Sequence, residues 1–160
     1  MSLQAHGGKN MTGMPIGFLR LQLDYNSFHH LHRLVCLKSL HVAGNSRFAS
    51  YLALHLPEAA MRIDEGDYGV LHLEVGALKL ETRDAIARRN WDAVREHYVF
   101  VSLVMEDAGA ELRDAIMVSY LGSLFYGEDS LNFAKARSML PRDLAAALDA
   151  VERHYASLVS

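Results

Sequence analysis

The feature that most constrains this chain is a helical spacing of apolar residues that continues from about residue 46 to residue 158. Apolar side chains recur there every three or four positions, in segments separated by short connections. This spacing places side chains on one face of an α-helix, whereas a half-buried strand alternates with a period of two. Together with an amphipathic segment that begins at Phe28, the pattern predicts about six helices. Connections of roughly two to ten residues favour an all-α, single-domain antiparallel helical bundle.

The first 45 residues differ from this core. Residues 1–17 contain four glycines, a proline and no apolar period, which predicts a flexible tail. Residues 18–25 alternate apolar and polar side chains, which fits either a short strand or the start of a helix. Residues 18–45 are therefore predicted to form an extension with a short strand and an amphipathic helix, and residues 46–160 the helical core domain.

Three histidines in the amphipathic segment, His29, His30 and His32, raise the question of a metal site. Two imidazoles three positions apart supply only half of the ligands that zinc needs, and the segment has no cysteine pair and no H-E-x-x-H pattern. We expect ordinary surface or partly buried histidines, and no metal or cofactor. Cys36 is the only cysteine and lies in an apolar run, which predicts a buried thiol.

Charge is unevenly distributed along the chain. Residues 1–45 hold four basic side chains and one acidic side chain, which leaves 12 basic and 18 acidic side chains for residues 46–160. A core with a formal charge of −6 argues against nucleic-acid binding and favours a basic partner. No apolar run approaches the roughly 18 residues that span a bilayer, so we expect a cytoplasmic protein without membrane contact.

Motifs of catalysis and calcium binding are incomplete. Ser119 lacks the G-x-S-x-G setting of an esterase nucleophile, so no catalytic residue is predicted. The acidic run at Asp64–Asp67 lacks the regular oxygen ligands and the closing glutamate of a calcium loop. Two glycines carry structural predictions: Gly76 marks a kink or a close helix crossing, and Gly122 marks close packing within a central helix over residues 110–127.

Residues 46–158 contain an F-x-x-Y-L motif that begins at Phe48, an acidic segment before a central helix, and a closing L-P-x-x-L pattern at Leu140–Leu144. In these motifs they resemble a family of small uncharacterised bacterial all-α proteins. The matching positions in the turn before residue 91 and in the last two motifs are Asn90, Glu106, Asp107, Gly109, Glu111, Leu112, Arg113, Ala115, Ile116, Val118, Ser119, Leu121, Leu124, Leu140, Pro141 and Leu144. Where relatives often carry a charged residue, this chain has Gly122, which indicates a change in packing.

This family is similar to the immunity proteins of bacterial polymorphic or contact-delivered toxins. The resemblance implies a non-enzymatic protein that neutralises a cognate toxin by stoichiometric binding, and the acidic core favours a basic toxin. An alternative is a helical adaptor or regulatory module that forms a homodimer through residues 18–40. For partner binding, exposed charged and aromatic side chains in loops are the best candidates, and two loops supply them: Asp64, Glu65, Asp67, Tyr68, Tyr126, Glu128 and Asp129.

Overall fold

The computed structural model describes residues 46–159 of the 160-residue chain. Within this range the protein is all-helical, as predicted, with seven helices and no β-strand. The predicted strand at 18–25, the helix that begins at Phe28 and His29, His30 and His32 lie outside the described residues. The helices are α1 (Arg47–His55), α2 (Pro57–Ala60), α3 (Leu71–Ala87), α4 (Trp91–Glu106), α5 (the consecutive segments Ala110–Ala115, Ile116–Leu121 and Gly122–Leu124), α6 (Leu131–Ser138) and α7 (Arg142–Val159).

Helices α1 and α4 begin directly after residues whose side chains cap the helix backbone. The Oγ atom of Ser46 accepts a hydrogen bond from the Ala49 amide at 3.0 Å, and Asn90 caps α4 by accepting one from the Ala93 amide at 3.3 Å. The sequence predicts caps at Ser46, Asn90 and Ser130, because short oxygen-bearing side chains satisfy amides that lack a helical partner. Ser130 does lie at the start of α6, but its side chain makes no capping bond.

The central helix is α3 rather than α5, which corrects the sequence-based expectation. It packs against α1, α2, α4, α5 and α6. Fully buried Val75, Leu78, Ala85 and Ile86 line its inner side. The many apolar side chains in residues 110–127 predict a helix that is buried on all sides, but Val118 of α5 is exposed.

Gly122 lies where α5 and α7 cross closely, which confirms the packing predicted for this glycine. A Cβ atom at residue 122 would lie 3.1 Å from Val151 Cγ1, 3.2 Å from the Tyr155 hydroxyl and 3.1 Å from the Met117 carbonyl oxygen. The preceding segment, Ile116–Leu121, is π-helical, so its backbone is wound more widely than that of the flanking α-helical segments. The crossing therefore has little room for any side chain at position 122.

The prediction for Gly76 is wrong in the described part of the molecule. A Cβ atom built on Gly76 would have no atom within 4 Å, and α3 continues as one α-helix from Leu71 to Ala87. Neither a kink nor a crossing with another described helix accounts for this glycine.

A buried polar cluster joins α3 to α4 and α5. Thr82 Oγ1 lies 2.9 Å from the Leu78 carbonyl oxygen, 3.1 Å from His97 Nδ1 of α4 and 3.1 Å from the Tyr120 hydroxyl of α5. Because the single hydroxyl proton of Thr82 goes to the carbonyl, His97 and Tyr120 are the donors to its oxygen. Burial lowers the pKa of His97 to about 4, against the smaller opposing effect of the Glu81 charge.

Candidate partner-binding surface

The first predicted loop forms a bend between α2 and α3. Its amides are used locally: the Asp67 amide donates to the Asp64 carbonyl at 2.9 Å, and the Val70 amide donates to the Asp67 carbonyl at 3.0 Å. Asp64, Glu65 and Tyr68 are exposed, and Asp67 is half-buried. The loop therefore presents two carboxylates and an aromatic ring to solvent on a hydrogen-bonded backbone.

Two anchors hold this loop against α3. At its end, the Gly69 amide donates to the carboxyl group of Glu74 at 2.8 Å, and Ser46 donates its hydroxyl to the other oxygen of the same group. At its start, Arg62 Nε donates to Glu81 at 2.6 Å, and another guanidinium nitrogen pairs with Asp84. Glu74 is fully buried, so its two partners replace the water that this carboxyl group loses.

Removing the carboxyl group of Glu74 should destabilise the fold and loosen the first loop. We expect Glu74→Ala to lower the free energy of unfolding by about 2–4 kcal/mol, because it leaves a cavity and unpaired polar groups. Urea denaturation measures this loss, and hydrogen exchange at the Gly69 amide reports the loop. Glu96→Ala, on the exposed side of α4, is the control and should change stability by no more than about 0.5 kcal/mol. Equal stability of the two variants would contradict the anchoring role.

The second predicted loop follows α5. Gly127 has a φ of 72°, a left-handed conformation that suits glycine, and it turns the chain after Tyr126, whose side chain is 83% exposed. Asp129 is exposed as well. Glu128 is instead half-buried and pairs with Arg83 of α3, so its carboxylate fixes the loop to the helix.

The exposed side of α3 lies between the two loops. Leu80 is 47% exposed, and its neighbours three and four positions further along the helix are Arg83 and Asp84. Arg83 contacts the second loop through Glu128, whereas Asp84 contacts Arg62 at the start of the first loop. Each loop is thus tied to α3 on a different side of Leu80.

A second leucine extends this apolar surface along the helix. Leu73 is 48% exposed and precedes Leu80 by two helical turns, about 10.5 Å along the axis. Gly76 lies between them on the same side of α3, with open space above its Cα atom. We call Leu73, Gly76 and Leu80 the α3 face.

One polar constellation outside the predicted residues resembles a nucleophilic site in composition. His72 Nδ1 lies 2.8 Å from Ser119 Oγ, and His72 Nε2 lies 3.8 Å from Asp114. Ser119 belongs to the π-helical segment of α5, where backbone amides bond to preceding carbonyls and are not available to stabilise an oxyanion. The His72 and Asp114 side chains are also about half or more exposed. We interpret these contacts as hydrogen bonding between α3 and α5.

Residues 46–159 contain neither a cluster of metal-binding side chains nor a membrane-spanning helix. In this range no group of three or more histidine, cysteine, aspartate or glutamate side chains is placed to hold a metal ion. None of the helices described is long and apolar enough to cross a bilayer.

A known protein family covers the helical core of this chain. Residues 49–156, more than half of the chain, match the family described as "Domain of unknown function (DUF7674)". The chain belongs to the DUF7674 family. No curated protein and no solved structure matches it. The DUF7674 domain thus coincides with the helical core, and its function has to be inferred from the surface.

The structure distributes the predicted site residues over two loops on either side of the α3 face. Sequence reasoning missed Leu73 and Leu80, because leucine at helical spacing is more often a core residue. The available signal was Gly76, a poor helix former without a packing role in the described core.

Proposed function

We propose that this DUF7674 protein is a non-enzymatic, cytoplasmic binding protein that neutralises a cognate bacterial toxin by stoichiometric binding. The observation that carries the proposal is the α3 face, where Leu73 and Leu80 are about half exposed between two loops with acidic and aromatic side chains. Exposed apolar side chains on one side of a helix, with a polar rim, are typical of protein interaction sites. The resemblance of residues 46–158 to immunity-type proteins supplies the class of partner.

The charges of the two loops support a basic partner. Asp64, Glu65 and Asp129 are exposed and form no ion pair among residues 46–159. Charges at the edge of an interface act chiefly by accelerating association with an oppositely charged partner. A toxin with a basic active-site rim would therefore be captured quickly and then held by apolar contacts.

Growth rescue tests this function. Toxin domains encoded beside the gene are expressed with and without this protein, and we expect one of them to be neutralised by it. Glu65→Lys should slow association several-fold at low ionic strength, because it reverses a charge at the rim. Glu96→Lys on α4 is the matched control and should leave the rate unchanged. Absence of rescue against every neighbouring toxin domain would contradict the proposal.

Self-association is the competing function. Residues 18–40, which the sequence predicts to mediate it, lie outside the described residues, and the α3 face is the described surface that favours it. An apolar stripe on an exposed helix suits a second copy of the chain as well as a foreign protein. Light scattering of the full chain separates the two functions. A concentration-dependent dimer that Leu80→Lys dissociates would favour the adaptor, whereas a monomer that binds a toxin favours the inhibitor.

A further inference from the structure

Gly76 is unexplained by the described structure of its own chain. Glycine weakens a helix relative to alanine, yet α3 carries this residue near its middle with no atom within 4 Å of the missing Cβ. At Gly122, by contrast, α7 fills the corresponding space. A glycine on an exposed helix side permits another backbone to approach closely at that point.

The side chains beside Gly76 define what can approach. Leu73 and Leu80 flank the glycine along α3 at a separation of about 10.5 Å, so the α3 face is a shallow gap between two apolar side chains. A helix that crosses α3 at Gly76 can place a large apolar side chain in this gap and contact both leucines. An extended strand would meet no free sheet edge here, because the described residues contain no strand.

The rim of the α3 face determines the charge of that helix. Arg83 and Arg62 lie where the two loops contact α3, but both guanidinium groups are paired with carboxylates. The exposed carboxylates of Asp64, Glu65 and Asp129 have no such partners within residues 46–159. The charge that the two loops leave for a ligand is therefore negative.

We propose that the α3 face binds a basic amphipathic helix of the partner protein, crossing α3 at Gly76. The proposal rests on the proposed function in that it specifies the part of the partner which is recognised. Apolar side chains of this helix contact Leu73 and Leu80, and lysine or arginine side chains on its flanks face the two acidic loops. Lys79, three positions after Gly76 on α3, is a cation that opposes such a ligand.

A pair of synthetic peptides tests this recognition with the full chain. Both are 18-residue amphipathic helices with the same leucine positions, and their polar positions are all lysine in one and all glutamate in the other. Fluorescence anisotropy should show binding of the lysine peptide and at least about tenfold weaker binding of the glutamate peptide. Equal affinity for the two peptides would overturn the proposal.

Variants locate the binding on α3. Leu80→Lys and Gly76→Leu should each lower the affinity for the lysine peptide by about tenfold or more, because the first repels the peptide and the second fills the gap. Lys79→Glu should strengthen it. Leu158→Lys is the control for Leu80→Lys, because Leu158 is an exposed leucine on α7. Equal affinities of the Leu80→Lys and Leu158→Lys proteins would overturn the assignment to α3, and circular dichroism verifies that every variant is folded.

Two results separate a failure of the α3 proposal from a failure of the proposed toxin-inhibitor function. If a toxin is neutralised equally well by wild type and by Leu80→Lys, the inhibitor function stands and the α3 proposal fails. If no toxin is neutralised but the lysine peptide binds at the α3 face, the recognition stands and the toxin function fails.

Discussion

Gly122→Val should lower the free energy of unfolding by about 3 kcal/mol. A Cβ atom at this position already meets Val151, Tyr155 and the Met117 carbonyl oxygen at 3.1–3.2 Å, and valine adds two further carbons. The Met117 carbonyl belongs to the backbone of α5 and cannot rotate away, and the contacts with Val151 and Tyr155 push α7 outward. Overpacking of this kind typically costs 1–3 kcal/mol, and the helix preference of valine over glycine returns only a few tenths.

The same substitution at Gly76 is the matched control. Gly76→Val adds its side chain to open space, so we expect a change of no more than about 0.5 kcal/mol. Gly76→Ala should raise stability by up to about 1 kcal/mol, since alanine favours the helix and strains nothing. Urea unfolding followed by circular dichroism gives all three values. If Gly122→Val and Gly76→Val have the same midpoint, the close crossing of α5 and α7 is contradicted.

Acid should destabilise the protein through His97 before most carboxylates are protonated. This histidine is buried against Thr82, and its folded-state pKa of about 4 lies below the unfolded value of about 6.5. The neutral imidazole therefore contributes stability that is complete above pH 6.5 and is lost as the pH falls toward 4. For a pKa shift of this size, protonation of His97 alone lowers the free energy of unfolding by about 2 kcal/mol between pH 7.5 and pH 5.

His97→Asn tests this origin of the pH dependence. Asparagine keeps an N–H donor for the Thr82 hydroxyl but does not titrate. Over the same pH range, the free energy of unfolding of the variant should therefore fall by about 2 kcal/mol less than that of wild type. His154→Asn, at an exposed histidine of α7, controls for the general effect of removing an imidazole. Identical pH profiles for wild type and His97→Asn would show that another group causes the acid sensitivity.

Local signals in the sequence predicted much of the fold. Ser46 and Asn90 are caps in the structure because a capping bond depends on residues only three positions apart. The crossing at Gly122 was also predictable, since small residues interrupt an otherwise apolar helix at that point. These features require no knowledge of which helices are neighbours.

Features that depend on distant residues were not predictable. Helical spacing alone allows either Leu73 or Glu74 on the inner face of α3, and the structure buries Glu74 fully and exposes Leu73. The carboxyl group is tolerated inside because it accepts hydrogen bonds from the nearby Gly69 amide and from Ser46, which lies 28 residues earlier in the chain. No spacing rule contains that information.

The candidate site likewise has one part that the sequence predicts and another that depends on distant contacts. Loop composition was sufficient to select the two acidic and aromatic loops, because charged residues beside glycine favour exposed turns. Their relation to α3 depends on Arg83 reaching Glu128, 45 residues away, and Arg62 reaching Asp84, 22 residues away. The α3 face becomes visible only when both connections are known.

Calorimetric titration of the toxin that this protein neutralises tests the central claim most directly. We predict one molecule of toxin per molecule of inhibitor, with a Kd of about 10 nM or tighter for wild type and at least about tenfold weaker binding for Leu80→Lys. Leu158→Lys should bind like wild type. Neutralisation without detectable heat or complex formation, or at substoichiometric amounts of this protein, would contradict an inhibitor that acts by binding.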